Sequence, residues 1–376
     1  MHPFCRFVLL SLVITWFSAC TKQPEGTGRP VSWEQLDGWT QDHHAEAWPA
    51  LLQSCVKIAG RSELWGRICE AAKKISKPTD AQARKFFETW FVPHQVINQR
   101  GGTEGLITGY FEPLLNGSLT HTGKYQYPLY KRPKELLVID LAGLYPQLKG
   151  MRLRGRLQGN KVIPFYSRKE IESRRELLHG NELFWVDDPV ALFFLQIQGS
   201  GKIRLPDGKI VSVGYHDQNG HPYVPIGKTL IELGALARDK VSLQTIRQWL
   251  SENKQRRDEI LNSNPSYVFF KISDKGTVGS LNVPLTPERS IAVHRKFIRL
   301  GLPVWLDTTL PAKDDKTPPA RYQRLVFAQD TGGAIRGAVR ADVFWGAGPR
   351  ARFMAGHMKQ AGRLFVLLPK NPAAKQ

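Results

Sequence analysis

Acidic side chains are scarce in this 376-residue chain: 33 Asp and Glu stand against 53 Lys and Arg, a formal net charge of +20 at pH 7. Such an excess favours anionic surroundings (nucleic acid, a lipid surface or an acidic polymer) and is silent on chemistry. Cysteine and methionine are rare as well, four of each. There is no Cys-x-x-Cys pair, and the ten His show no His-Glu-x-x-His or comparable ligand spacing, so no metal or other cofactor is expected. A Gly-x-Ser-x-Gly elbow is missing, and Gly199-Ser200-Gly201 is only a fragment of a serine-nucleophile signature. No Gly-Lys-Ser/Thr follows the glycines after Asp330, which argues against a phosphate loop. Internal repeats and low-complexity tracts are absent too. What remains, 41% hydrophobic and 23% charged residues, belongs to a chain that buries a core. Disorder, collagen and a multi-spanning membrane protein are thereby excluded.

The apolar run that does occur sits near the N-terminus. Arg6 precedes Phe7–Phe17, and Ser18-Ala19-Cys20 follows. A basic start, a short apolar centre and small exit residues describe an export signal. A comfortable membrane span needs about 20 apolar residues, more than this run supplies. Cys20 behind Ser-Ala resembles the lipobox of bacterial lipoproteins, although Phe17 stands where Leu is usual. The resemblance implies cleavage before Cys20 and acylation of its thiol. With Thr21 rather than Asp next, it also implies sorting to the outer membrane, facing the periplasm. Losing residues 1–19 removes only Arg6 among the charges and leaves +19, so the mature chain stays basic. Export argues against nucleic acid as a partner. Cys5 leaves with the signal, and Cys55 and Cys69 remain in an oxidising compartment. Spacing does not decide between a disulfide and two separate buried thiols.

Residues 20–31, polar and rich in Gly and Pro, read as a lipidated tether. A helical part follows. Trp48, Leu51, Leu52, Cys55 and Ala59 recur at helical spacing, and Thr79-Asp-Ala-Gln82 is a capping box ahead of Ala83, Phe86, Phe87, Trp90 and Phe91. Pro93 closes that helix. From about residue 105 short strand-like runs dominate, including Lys124–Tyr130, Lys161–Tyr166 and Phe193–Gln198. Helical texture returns over Gly227–Leu261. Strands resume at Arg289–Val293, Pro303–Leu306, Arg324–Gln329 and Arg363–Leu368, with a polar connection over Pro311–Ala320. Many closely spaced strands indicate a barrel or a sandwich.

Several segments pair chemistry-bearing side chains with turn residues. Asp330 ends a strand-like run and precedes Gly332 and Gly333, which let a ligand approach the backbone or simply make a turn. If Val339–Phe344 is extended, Arg340, Asp342 and Phe344 share one face. Phe344 and Trp345 would desolvate Asp342 and favour its protonated form, whereas Arg340 would favour the anion. The sequence leaves that contest open. In Gln196-Ile-Gln-Gly-Ser200, alternation would put Leu195 and Ile197 inward and align Gln196, Gln198 and Ser200. Such a row suits sugar hydroxyls, or merely solvent. Thr108-Gly-Tyr110-Phe-Glu112-Pro113 and Asn264-Pro-Ser266-Tyr-Val-Phe-Phe270 mix aromatic and polar groups in the same manner.

In combination these motifs resemble the membrane-bound lytic murein transglycosylase A family, across nearly the whole mature chain. The C-terminal part resembles the small domain named for three aspartates. Asp330 and Asp342 match two of them; His294 stands at the first, where Asp is usual, and Arg299 where Pro is usual. The resemblance implies a mainly β fold with flanking helices: a double-psi β-barrel, a second β-barrel inserted in it, and a saccharide cleft between them. The expected division is 32–115 with 250–376 for the first unit and 116–249 for the insert. Asp342 is implied as catalytic acid, with Asp330 in support. Thr108, Tyr110, Gln196, Gln198, Ser200, Asn264, Ser266, Gly332 and Gly333 are expected to line the sugar subsites. The implied substrate is peptidoglycan, cut at the β-1,4 bond between N-acetylmuramic acid and N-acetylglucosamine with closure of a 1,6-anhydro ring. Cell-wall remodelling proteins are candidate partners. Two other readings stay open: a hydrolase pairing Asp342 with Asp330 or Glu112, and a murein-binding lipoprotein without activity.

Overall fold

The computed structural model describes residues 25–274, 276–312 and 318–370. The export signal, Cys5, Cys20 and the centre of the 311–320 connection lie outside the described residues. The tether expected over 20–31 needs correction where it is described. Gly26–Pro30 forms strand β1, paired antiparallel with β2 (Phe91–Ile97), Gly26 opposite Ile97 and Pro30 opposite His94. Pro30 is tolerated because β1 is an edge strand, where a missing N–H costs no ladder bond. The chain is therefore docked from Gly26 onward.

Three helices follow: α1 (Trp48–Ile58), α2 (Glu63–Lys73) and α3 (Asp80–Trp90). The capping box holds, with Thr79 Oγ1 accepting from the Gln82 N–H and Gln82 Oε1 from the Thr79 N–H. Helix α3 stops at Trp90, and Pro93 lies in β2. Cys55 and Cys69 form a disulfide joining α1 to α2, Cα atoms 5.5 Å apart. Leu51, Ile68 and Phe87 lay the helical layer on the barrel core, where Phe87 meets Phe327.

After β3 (Glu104–Glu112) the chain enters a second unit. Its strands are β4 (Leu114–Ser118), β5 (Tyr127–Tyr130), β6 (Leu137–Val138), β7 (Arg154–Gln158), β8 (Lys161–Pro164), β9 (Glu182–Val186), β10 (Ser200–Arg204), β11 (Ile210–Gln218) and β12 (Val268–Ile272). Its helices are α4 (Arg168–Ser173), α5 (Pro189–Gln198), α6 (Ile226–Glu232), α7 (Leu243–Glu252) and α8 (Lys254–Asn262). The chain returns through β13 (Ser290–Val293), β14 (Pro303–Thr309), β15 (Arg321–Asp330), β16 (Arg340–Ala347), α9 (Pro349–His357) and β17 (Lys359–Pro369).

Pairing runs β17-β14-β15-β13-β16-β3 and closes from β3 onto β17, making a six-stranded barrel. Pairs β13–β15 and β16–β3 are parallel and the rest antiparallel, the expected double-psi arrangement. The second unit orders its strands β12-β11-β10-β4-β9-β5, and a bridge from Lys131 to Phe270 brings its two edges together. Strands β6, β7 and β8 form a small separate sheet. A barrel with a second barrel inserted is thus observed. Sheet membership sets the insert at Leu114–Ile272 rather than 116–249, because β12 pairs with β11 and Leu250, Ile260 and Leu261 pack on α5 and α6.

Phe193–Gln198 is corrected from strand to helix. Asp188 caps α5 by accepting from the Val190 and Ala191 N–H groups, Pro189 opens it, and Gly199 ends it in the left-handed region at φ +77°. Leu195 is consequently buried while Ile197 is 36% exposed, so the two do not point inward together.

Candidate active site

Strand β16 alternates as its sequence suggests. Ala341 and Val343 enter the barrel core; Arg340, Asp342 and Phe344 face outward. Parallel pairing sets Asp342 opposite Thr108 and Phe344 opposite Tyr110. On the other side Asp342 stands opposite Ala292, which is also the register partner of Asp330. Two acids from consecutive strands, β15 and β16, thus flank one small residue of β13. Gly109, between Thr108 and Tyr110, is required sterically: a Cβ there would lie 2.4 Å from Trp345 Nε1 and 3.1 Å from the α9 backbone at Ala355.

The acids differ in what they hold. Asp342 Oδ1 accepts from Thr108 Oγ1 at 2.7 Å, and the same hydroxyl accepts from Arg340 Nη2 at 2.9 Å. No described residue bonds Oδ2. Burial pushes the Asp342 carboxyl above the usual carboxylate range; Arg340 and Thr108 pull it down and Asp330 pushes it up. Desolvation wins the contest that the sequence leaves open. Asp330 is saturated. Its Oδ1 accepts from Ser280 N at 2.9 Å, Ser280 Oγ at 2.8 Å and Thr331 N at 2.8 Å, and its Oδ2 from Tyr110 Oη at 2.9 Å. Burial nonetheless raises its pKa, against the pull of these donors. Glu112, nearly buried, accepts from Thr277 Oγ1 at 2.6 Å and pairs with Lys202 Nζ at 3.0 Å.

His294 lies two residues beyond Ala292, where its Nδ1 accepts from the Gly337 N–H at 3.1 Å. Burial, Arg336 and Lys296 hold its pKa below the ordinary histidine value. A neutral acceptor thus occupies the first acid position and pins the turn between β15 and β16.

The expected subsite residues disperse. Thr108 and Tyr110 reach the acids, but their hydroxyls are committed to Asp342 and Asp330, and the Tyr110 ring is buried against Phe344. Gln198 Oε1 accepts from Phe111 N at 3.0 Å, tying α5 to β3. Ser200 opens β10 and is 6% exposed. Gln196 is a buried position of α5, so the aligned row of Gln196, Gln198 and Ser200 does not exist. Asn264 and Ser266 are interior: Asn264 Oδ1 accepts from Val224 N and Ser266 N, and both carbonyls accept from Arg168. Gly333 is exposed with open space around it, and Gly332 starts the turn by accepting from Ile335 N. A cavity of about 210 Å³ at the junction of the units is lined by Phe111, Asn116, Asp188, Phe194, Arg247 and Arg352 and does not reach Asp342.

Sequence reasoning missed Ser280, the main holder of Asp330. The one available signal is Gly279, where a Cβ would meet the Gln329 carbonyl oxygen at 2.5 Å. It also missed that Arg340 reaches Thr108 rather than the acid directly.

Comparison with known proteins adds independent lines. Residues 106–271 match the MltA specific insert domain and residues 289–368 the 3D domain. The membrane-bound lytic murein transglycosylase A of Vibrio cholerae is 33% identical over 265 residues, which is 70% of this chain and 65% of that protein. The chain thus spans slightly under two thirds of the length of that curated relative. A membrane-bound lytic murein transglycosylase crystal structure from Agrobacterium tumefaciens is 32% identical with a TM-score of 0.81, covering 92% of this chain and 98% of that one. Escherichia coli MltA with bound chitohexaose is 27% identical with a TM-score of 0.69, covering 93% and 96%. Identity of 32% to the Agrobacterium tumefaciens structure over nearly complete chains, with matches to both domains, shows that this chain belongs to the membrane-bound lytic murein transglycosylase A family.

Proposed function

We propose that the chain is a peptidoglycan lytic transglycosylase with Asp342 as its acid and then its base. One observation carries the reading. Of Asp342, Asp330 and Glu112, only Asp342 keeps a carboxyl oxygen without a partner among the described residues, and burial favours its protonated form. Asp330 and Glu112 have their oxygens bonded, which disfavours a second acid–base carboxylate of the kind hydrolases use.

The glycan lies with its scissile oxygen at Oδ2 of Asp342. The Oδ2 proton moves to that oxygen as the bond from it to the anomeric carbon of N-acetylmuramic acid breaks. The carboxylate left behind takes the proton of the O6 hydroxyl of the same sugar, and O6 bonds the anomeric carbon. A 1,6-anhydro ring and a free N-acetylglucosamine hydroxyl result, Asp342 is protonated again, and no water is consumed. Holding the nucleophile inside the substrate supplies proximity without a bound water. The Arg340 charge stabilises the transient carboxylate. Peptidoglycan strands are the partner, consistent with the chitohexaose bound by the E. coli relative. Acylated Cys20 holds the enzyme at the outer membrane, facing the periplasm.

Replacing Asp342 with Asn tests the reading. Release of soluble muropeptides from sacculi falls by about 10² to 10⁴, while binding to sacculi is retained. Release at the wild-type rate overturns the assignment of Asp342; a wild-type chain that binds sacculi and releases nothing supports a binding lipoprotein.

A further inference from the structure

Arg340 has the geometry of an orienting group. Its Nη1 donates to the backbone carbonyls of Ala341 and Leu106, and its Nη2 donates to Thr108 Oγ1 at 2.9 Å. With carbonyls holding one arm of the planar fork, the other arm is fixed in direction. A threonine hydroxyl has one proton to give. An arginine accepts nothing and keeps its charge, so the Thr108 oxygen is the acceptor in that contact and its own proton is driven elsewhere. At 2.7 Å stands Asp342 Oδ1. A proton on Oδ1 would bring a second donor to the Thr108 oxygen already facing the guanidinium and leave the Thr108 hydrogen without this partner. The acid proton therefore belongs on the other oxygen, Oδ2.

We infer that Arg340 is a positioning residue that acts through Thr108 to fix the Asp342 proton on Oδ2, the oxygen open to substrate. This rests on the catalytic role proposed for Asp342 and adds a direction to it. It also gives Thr108 a task other than sugar contact. Asp330 lies on the far side of Ala292 and is closed by its own donors, so Arg340 and Thr108 are the polar side chains bonded to this carboxyl or to its partner. The Arg340 charge pulls the acid's pKa down while the relay sets its geometry, and the two effects separate by substitution.

The test is the pH profile of muropeptide release by the full chain, for Thr108→Val, Thr108→Ser, Arg340→Met and Arg340→Lys. The alkaline limb marks loss of the protonated acid. Thr108→Val removes a bond to the anion and Arg340→Met removes a neighbouring positive charge, so each moves the limb upward, by about one pH unit for Arg340→Met. Both lower kcat on the acidic plateau by about tenfold, with KM little changed. Thr108→Ser restores the limb and most of kcat; Arg340→Lys restores the limb. A limb at its wild-type pH in both Thr108→Val and Arg340→Met, or a Ser variant no better than Val, overturns the inference. Full activity in Asp342→Asn sinks the reading beneath it instead, so the two failures are distinguishable.

Discussion

Asp342 and Asp330 are both register partners of Ala292, one from each neighbouring strand, yet their surroundings give them opposite capacities. Asp330 receives four donors and works as a brace that holds Ser280, Thr331 and Tyr110 around the end of β15. Asp342 receives one and retains an open oxygen. Burial raises both carboxyls, so hydrogen bonding, not desolvation, separates their roles.

A raised carboxyl costs stability at neutral pH. The folded protein holds the Asp342 proton more tightly than the unfolded chain, so this stabilising contribution is present at acid pH. It is lost as pH rises through the folded-state pKa. Asp342→Asn, which stays neutral and can still accept from Thr108, is expected to melt above the wild type at pH 7 and level with it near pH 4. Calorimetric melting at both pH values checks this; a neutral-pH melting point below the wild type contradicts it.

Tyr110→Phe removes the donor from Asp330 Oδ2 and leaves a partly buried carboxyl oxygen unpaired. The expected loss is about 1–3 kcal/mol, read as a lower denaturant midpoint with an unchanged slope. An unchanged midpoint contradicts the brace role of Asp330.

The Cys55–Cys69 disulfide closes a short loop, its partners 14 positions apart. Replacing both cysteines with Ser is expected to cost about 3 kcal/mol on the chain-entropy account. Catalytic turnover at 25 °C should stay near wild type, because the disulfide joins α1 to α2 and neither cysteine is among the groups bonded to Asp342 or Thr108. Equal denaturant midpoints for the two proteins contradict the stability claim.

The excess of basic residues suits the proposed substrate, whose peptides carry carboxylates. Raising salt from about 0.05 to 0.5 M shortens electrostatic reach from roughly 14 Å to 4 Å, so binding to isolated sacculi should weaken several-fold. Unchanged binding removes any role for the net charge.

Much of this was legible in the sequence, and the misses have physical causes. Capping at Thr79, alternation along Arg340–Phe344 and the late strands are local, and local patterns survive folding. Phe193–Gln198 misled because a helix buried on both sides shows no 3.6-residue polar face. Its boundaries, Asp188-Pro189 and Gly199, were the better signal. Gly26–Pro30 misled because Gly and Pro read as flexible, whereas an edge strand tolerates them. Tyr110 lies within β3, and Asn264 and Ser266 lie between α8 and β12; that their partners are Asp330, Val224 and Arg168 rather than a sugar depends on contacts more than 30 residues away in sequence. Ser280 left no signal but its neighbour Gly279, because its role depends on the turn that carries it meeting Asp330, 50 positions further along the chain.

The most direct measurement is digestion of sacculi in water enriched in oxygen-18, followed by mass analysis of the released muropeptides. An intramolecular attack by O6 predicts anhydro products, lighter than hydrolytic ones by one water and free of the heavy isotope at the cleaved end. Reducing-end products carrying oxygen-18 would contradict a lone Asp342 that lets the sugar close on itself, and would require a second group that activates water.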